Sequence, residues 1–332
     1  MQIDSQGLIR AVTGAQMISA PEYIQSLWSG YGSISRYQLT GAAYPSLVVK
    51  HVSTPARTDH PHGWNTDISH LRKLKSYQVE TAWYRDFAVR SNAACRVPQC
   101  YAVESLGDEV FLLLEDLDAS GFDQRRKQVT HTELQLCVAW LAEFHATFMQ
   151  STASGLWQQG TYWHLATRPD ELEVLLREDP ALHAVAGVID QALQAARFKT
   201  LVHGDAKLAN FCFSRHAAAV AAVDFQYVGE GCGMQDLIYL MGSCLSEREC
   251  ELQQSGILNH YFETLVTALN ANASDVDTAA LESEWRHLYP FAWTDFQRFL
   301  KGWSPGHWKV NDYSEKLAQQ VVAQITEEQK CN

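Results

Sequence analysis

Two short polar segments, each at the end of a β-prone run, constrain this 332-residue chain more than any other feature. Residues 203–210 read HGDAKLAN directly after Thr200, Leu201 and Val202, and VDFQ, with Asp224 as its acid, closes a second run, Ala221 to Val223. Such runs favour strands, so both acids are expected at strand ends, where a tight loop can turn side chains toward a ligand. Asp205 and Asn210 stand five residues apart, and Asp224 comes fourteen after Asn210. Asn210 and Asp224 offer hard oxygens suited to Mg²⁺ on phosphates, while Asp205 can orient a hydroxyl and accept its proton. An aspartate after glycine is ordinarily a turn residue, and it is the company of the other two that marks Asp205.

Composition sets outer limits. With 46% hydrophobic residues the chain can bury a large core and is expected to divide into two lobes. A formal charge of −12, with no Lys/Arg cluster among aromatics, opposes a nucleic-acid partner. The longest apolar run, Ala217 to Val223, is far too short to span a membrane, and Asp4 and Arg10 interrupt the start of the chain, so no membrane partner and no export are expected. The eight cysteines form no CxxC pair and fall mainly in apolar segments, which suits reduced packing residues in a cytoplasm.

Along the chain, Ser33–Thr40 and Leu47–Val52 read as strands joined through Gly41 and Pro45, with Lys50 in the second. A helix is expected from Thr66 to about Ser91 on the stripe Leu71, Leu74, Val79, Trp83 and Phe87, with Glu80 along it. Two further strands, Val97–Glu104 and Val110–Leu114, flank a Gly107-Asp108 turn, and the aperiodic residues 53–65 read as an exposed loop. Beyond residue 117 helices dominate. Thr130 with Glu133, and Ser246 with Glu249, carry the capping-box spacing, and Ser274, ahead of Asp275 and Asp277, marks another helix entry, leading to Trp303. The aromatic series from Trp285 to Trp308 is expected mostly in the core, with some rings walling an acceptor pocket. His60, His62 and His70 lack the spacing and acids of a zinc site and read as a polar loop, while His145 and His203 read as structural.

With these elements placed, the chain resembles the protein-kinase-like phosphotransferases of small molecules, a group that includes aminoglycoside phosphotransferases, choline kinases and ecdysteroid kinases. HGDAKLAN resembles their catalytic loop, and VDFQYVG is most similar to the ecdysteroid-kinase branch, where glutamine follows the DF pair. The resemblance implies an α+β, bilobal protein-kinase-like fold: an antiparallel-sheet N-lobe with one main helix and the hinge over residues 1–117, and a mostly helical C-lobe over 118–332. It implies ATP and Mg²⁺ as cofactors and a small-molecule hydroxyl as acceptor. In that scheme Asp205 is the catalytic base, Lys207 steadies the γ-phosphate, and Asn210 and Asp224 hold the metal. Lys50 matches the strand lysine on the α and β phosphates and Glu80 its helix partner, while Leu114, Glu115, Asp116 and Leu117 match the hinge whose backbone reads adenine. Gly30 and Gly32 fall where the phosphate-covering loop is expected, with Ser35 in place of a third glycine. Asp236, in GMQDLIYL, resembles the buried aspartate that steadies the catalytic loop, and LAEFHA at 141–146 the helix beneath it.

Three other readings compete. A protein Ser/Thr kinase is opposed by the eleven residues between Asp224 and Asp236, too few for an activation segment, and by the absence of an APE sequence. A metal-dependent hydrolase would leave the Lys50 and Glu80 pair without purpose. A non-catalytic nucleotide-binding protein is opposed by the intact Asp205, Asn210 and Asp224 set. Gln226 stands where protein kinases have the glycine of DFG, so inactivation by a backbone flip at that point is not expected.

Overall fold

The computed structural model describes residues 5–27, 30–53, 67–106 and 109–331. The Gly107-Asp108 turn, Thr66, His60, His62 and nearly all of the segment 53–65 lie outside the described residues. The chain divides into two compact units, Met1–Arg125 with Cys212–Gln226, and Arg126–Phe211 with Tyr227–Asn332.

The first unit begins with helix α1 (Ser5–Thr13) and continues into β1 (Met17–Ile18), β2 (Glu22–Ser26), β3 (Gly32–Thr40) and β4 (Ser46–Ser53). After helix α2 (Asp67–Ala82) come β5 (Cys100–Leu106) and β6 (Glu109–Glu115), which complete one antiparallel sheet. β3 pairs with β4, β4 with β6 and β6 with β5, while β1 and β2 share the other edge of β3. The valines of β4 suit a pleated, buried position, and Lys50 interrupts them opposite Ile34 and Leu112. Ile9 of α1 packs with Leu39, Leu47, Val49, Phe111 and Leu113.

The helix expected as far as Ser91 changes gauge before it ends. At Trp83–Phe87 it widens to a π turn and at Ala88–Arg90 tightens to a 3₁₀ turn. The extra residue per turn lets Trp83, Tyr84 and Phe87 all be buried. Trp83 stacks on Phe225 at 4.6 Å, which fastens the helix to the segment bearing Asp224. Leu71, the first member of the expected stripe, is exposed, so the inward face begins near Leu74. A short two-stranded ribbon, Phe211–Phe213 with Val220–Ala222, delivers the run before Asp224, and Leu117 packs on its Cys212 and Ala221.

Arg36, Asp116 and Ser46 form a buried polar anchor of this sheet. The guanidinium Nε of Arg36 donates to Asp116 Oδ2 (2.7 Å), as does Ser46 Oγ (2.6 Å), and Arg36 Nη2 reaches Asp118 (2.5 Å). Burial raises the Asp116 pKa, but these donors outweigh it and hold the carboxyl below its ordinary range.

The second unit is mostly helical: α3 (His131–Thr147), α4 (Pro169–Glu178), α5 (Pro180–Gln194), α6 (Met234–Cys244), α7 (Glu247–Ala271), α8 (Thr278–Trp303) and α9 (Asp312–Cys331). Both capping boxes form as the sequence spacing requires, at Thr130/Glu133 and Ser246/Glu249. Helix α8 starts at Thr278 and is capped by Asp277, an acid of the expected entry, which accepts from the Ala280 N–H. A ribbon of Thr200–Val202 with Gly229–Gly231 runs antiparallel beside these helices. The rings of Trp285, Trp293, Phe296 and Phe299 are buried, whereas Trp303 and Trp308 are exposed. Among the described residues no helix is long and apolar enough to cross a membrane, and the described cysteines are free.

His164 gives this unit an acid-sensitive point. It is buried, shares Nδ1 with the Thr161 carbonyl (2.7 Å), and burial pushes its pKa from 6.5 down to about 4. The unfolded chain therefore binds the proton first, so stability is lost as pH falls from 6.5 toward 4, by about 3 kcal/mol in full. Urea unfolding of His164→Gln at about pH 7 and about pH 4 should show a smaller acid loss than the native chain; equal losses would contradict this origin.

Candidate active site

The site residues of the first unit gather around one buried lysine. Lys50 Nζ lies 2.6 Å from Glu80 Oε2 of α2 and 3.9 Å from Asp224 Oδ1. Burial raises the Glu80 pKa, the Lys50 charge opposes that rise, and the Asp224 charge reinforces it. Asp224 sits at φ 72°, a left-handed conformation uncommon for a residue with a side chain. Its neighbours explain how the conformation is held. Phe225 is clasped by Trp83 and Tyr84, and Gln226 Nε2 donates to Asp224 Oδ1 (2.7 Å) while its Oε1 accepts from Lys73 Nζ (2.8 Å) and Ser76 Oγ (3.2 Å).

Gly30 and Gly32 shape the connection from β2 to β3, where Leu27 N–H donates to the Gly32 carbonyl (2.8 Å). Gly32, at φ 131°, lies so close to the next strand that a Cβ would stand 2.0 Å from the His51 carbonyl oxygen. His70, from the histidine cluster, pairs with the Tyr31 hydroxyl of this same connection (2.5 Å). The four residues matched to a hinge close β6. Leu114 pairs with Cys100 and Val48, Glu115 accepts from the Gln99 N–H (2.9 Å) and from Arg96, Asp116 belongs to the Arg36 anchor, and Leu117 is buried.

The second unit holds the other group. Asp205 Oδ2 accepts from Lys207 Nζ (2.8 Å) and from Asn210 Nδ2 (3.1 Å), and the same Asn210 nitrogen donates to the Asp205 carbonyl (2.7 Å). Because both of those partners can only accept, the amide nitrogen must face them, and the Asn210 oxygen is the atom that can ligate a cation. Asp236 fixes the loop from behind. It accepts the His203 N–H (2.5 Å), the Gly204 N–H (2.9 Å) and His145 Nε2 (3.1 Å), while His145 Nδ1 meets the Tyr261 hydroxyl (2.7 Å). Gly204, at φ 78°, passes so near Tyr227 that a Cβ would stand 2.1 Å from its carbonyl oxygen.

Sequence reasoning named Lys50, Glu80 and Asp224, which meet, and Asp205, Lys207 and Asn210, which also meet. It missed Lys73, Ser243, Tyr239 and Lys309, and it gave Gln226 no bonding role. Lys73 had a readable signal, since 73, 76, 77 and 80 share one face of α2 at helical spacing. Ser243, which accepts the Leu208 N–H (2.8 Å), and Tyr239, whose ring packs on Tyr162 (5.6 Å), had none.

The sequence profile of the ecdysteroid kinase-like family matches residues 66–157 and 177–273, more than half of the chain. The chain belongs to the ecdysteroid kinase-like family. None of the curated proteins matches it. Among solved structures, it is similar to the GDP complex of aminoglycoside 2'-phosphotransferase-IIIa (11% identity, 96% of this chain and 97% of that one, TM-score 0.49). It is also similar to aminoglycoside phosphotransferase APH(3'')-Id from Streptomyces rimosus with ADP and streptomycin (13%, 88% and 100%, TM-score 0.47). A third is the Plasmodium vivax ethanolamine kinase (7%, 92% and 82%, TM-score 0.47). In this ecdysteroid kinase-like chain both matched segments carry residues of the candidate site: the first includes Glu80 and residues 114–117, and the second runs from before Asp205 to beyond Asp236.

Asp236→Asn tests the support of the loop. An amide cannot accept at both positions, so at least one buried N–H loses its partner, at about 1–3 kcal/mol. The urea midpoint should fall accordingly with an unchanged slope; an unchanged midpoint would remove Asp236 from this role.

Proposed function

We propose that this chain is an ATP- and Mg²⁺-dependent phosphotransferase that moves the γ-phosphate to a hydroxyl of a small molecule. The observation that carries the reading is the arrangement at Asp205: one carboxylate oxygen tied to a lysine and an asparagine, on a loop whose backbone is fixed by a buried aspartate. Such fixation matters because phosphoryl transfer leaves little covalent work to the protein, and rate comes from alignment and charge.

In this reading Asp205 orients the acceptor hydroxyl and receives its proton, and Lys207 lends positive charge to the transferring group. Lys50, positioned by Glu80, pairs with the α and β phosphates, and the backbone of Leu114 to Leu117 meets the adenine. Gly30 and Gly32 allow backbone to approach phosphate closely. The residues fit magnesium by their chemistry, since Asn210 presents an amide oxygen and Asp224 a carboxylate, both hard donors. When bound, the metal would neutralise phosphate charge.

Asp205→Ala should lower ADP release across a panel of hydroxylated small molecules by about 10²- to 10⁴-fold while ATP affinity stays within about twofold. Retained turnover would remove Asp205 from the role. Saturating Mg²⁺-ATP, at a hundredfold excess over Kd, should stabilise the native chain by about 2.7 kcal/mol in a melting experiment, and no shift would count against nucleotide binding.

A further inference from the structure

Lys309 stands in the turn between α8 and α9, and the turn is fixed by its own hydrogen bonds. Ser304 N–H donates to Leu300 O (2.9 Å), Val310 N–H to His307 O (2.8 Å), and the Lys309 N–H to His307 Nδ1 (3.2 Å). The ammonium of Lys309 is held against three aromatic faces, 5.0 Å from the centroid of Tyr239, 5.5 Å from Trp308 and 5.8 Å from Phe296. Tyr239 in turn packs on the ring of Tyr162 (5.6 Å), whose backbone N–H donates to the carbonyl of Gly204, the residue before Asp205 (3.2 Å). The lysine therefore lies one aromatic layer from the loop that carries the carboxylate read as the proton acceptor. The charges acting on Lys309 are Asp205 and Lys207, together with the Cys244 thiol, itself pushed up by burial to about 12 and so neutral near pH 7. Burial lowers the Lys309 ammonium to about 8, which leaves it mostly charged at neutral pH.

Aromatic faces beside a catalytic carboxylate would ordinarily attract a cationic substrate. Here a cation of the chain already lies on them, and Lys207 adds a second ammonium at Asp205. We propose that Lys309 is a specificity-determining residue of the acceptor site: its ammonium takes the place on the rings that a substrate cation would fill, so the site discriminates acceptors by charge, favouring an acidic alcohol over an ammonium-bearing one. The proposal rests on the reading of Asp205 as the group that receives the acceptor proton.

Three matched cyclohexanols, bearing a 4-carboxylate, a 4-methyl or a 4-amino group, test it at neutral pH by ADP formation from Mg²⁺-ATP. The native chain and Lys309→Arg should show kcat/KM for the carboxylate about tenfold or more above that for the amine, and Lys309→Met should reduce the ratio to about threefold or less. A native preference for the amine, or a ratio unchanged in Lys309→Met, overturns the proposal. Calorimetric binding of the same alcohols reads the charge order even if no phosphate moves. An order that favours the carboxylate and is lost in Lys309→Met supports Lys309 while counting against phosphotransfer. Equal or undetectable affinities in both proteins overturn it.

Discussion

The carboxylate of Asp236 is the constraint on which the second unit's site depends. It lies in the first turn of α6, where the helix dipole favours negative charge, and it accepts from two consecutive backbone N–H groups and from His145 of α3. A buried carboxylate with three donors has no room to reorient without leaving one of them unpaired. The backbone at His203 and Gly204 is therefore pinned, and Asp205 follows directly. Gly204 completes the constraint, because the approach of the Tyr227 carbonyl excludes any side chain there.

The two charge groups have different physical characters. Lys50 and Glu80 are both almost fully buried, and such a pair loses so much hydration that well-packed apolar residues could match its stability. Its presence in a sheet otherwise lined with valines and leucines is better understood through what the lysine can bind. Lys207 is 37% exposed beside a buried Asp205, so their contact adds little stability and serves to set the carboxylate's orientation. Lys50 lies 3.9 Å from Asp224, and the Gln226 amide donates to that carboxylate while its own oxygen accepts from Lys73 and Ser76 of α2. The glutamine following DF thus acts as a tie between the segment and α2, a role a glycine could not fill.

Local chemistry explains which parts were legible in the sequence. The strands at β3 and β4, the capping boxes at Thr130 and Ser246, and the loop residues Asp205 and Asn210 are set by neighbours a few positions away, and they could be read from spacing. The π turn at Trp83 could not, because the ring on which Trp83 packs, Phe225, comes more than a hundred residues later. Helices α4 and α5 went unread although Pro169 and Pro180 stand at their first positions and Asp179 caps the second. Helix α5 even buries Leu182, Val185, Ala186, Ile189 and Leu193 at helical spacing, so its signal was local and was overlooked. The contact of Lys309 with the ring of Tyr239, seventy residues earlier, is one that no local pattern announces.

The proposed function requires a magnesium-bound nucleotide that engages both the amide oxygen of Asn210 and the carboxylate of Asp224. A double-mutant cycle on Asn210→Ala and Asp224→Ala, read as the gain in ATP affinity on adding Mg²⁺, addresses it most directly. Each single change is expected to remove most of that gain, and the double change to remove little more, as shared ligation of one ion requires. Losses that simply add, or an ATP affinity indifferent to Mg²⁺ in the native chain, would contradict the account.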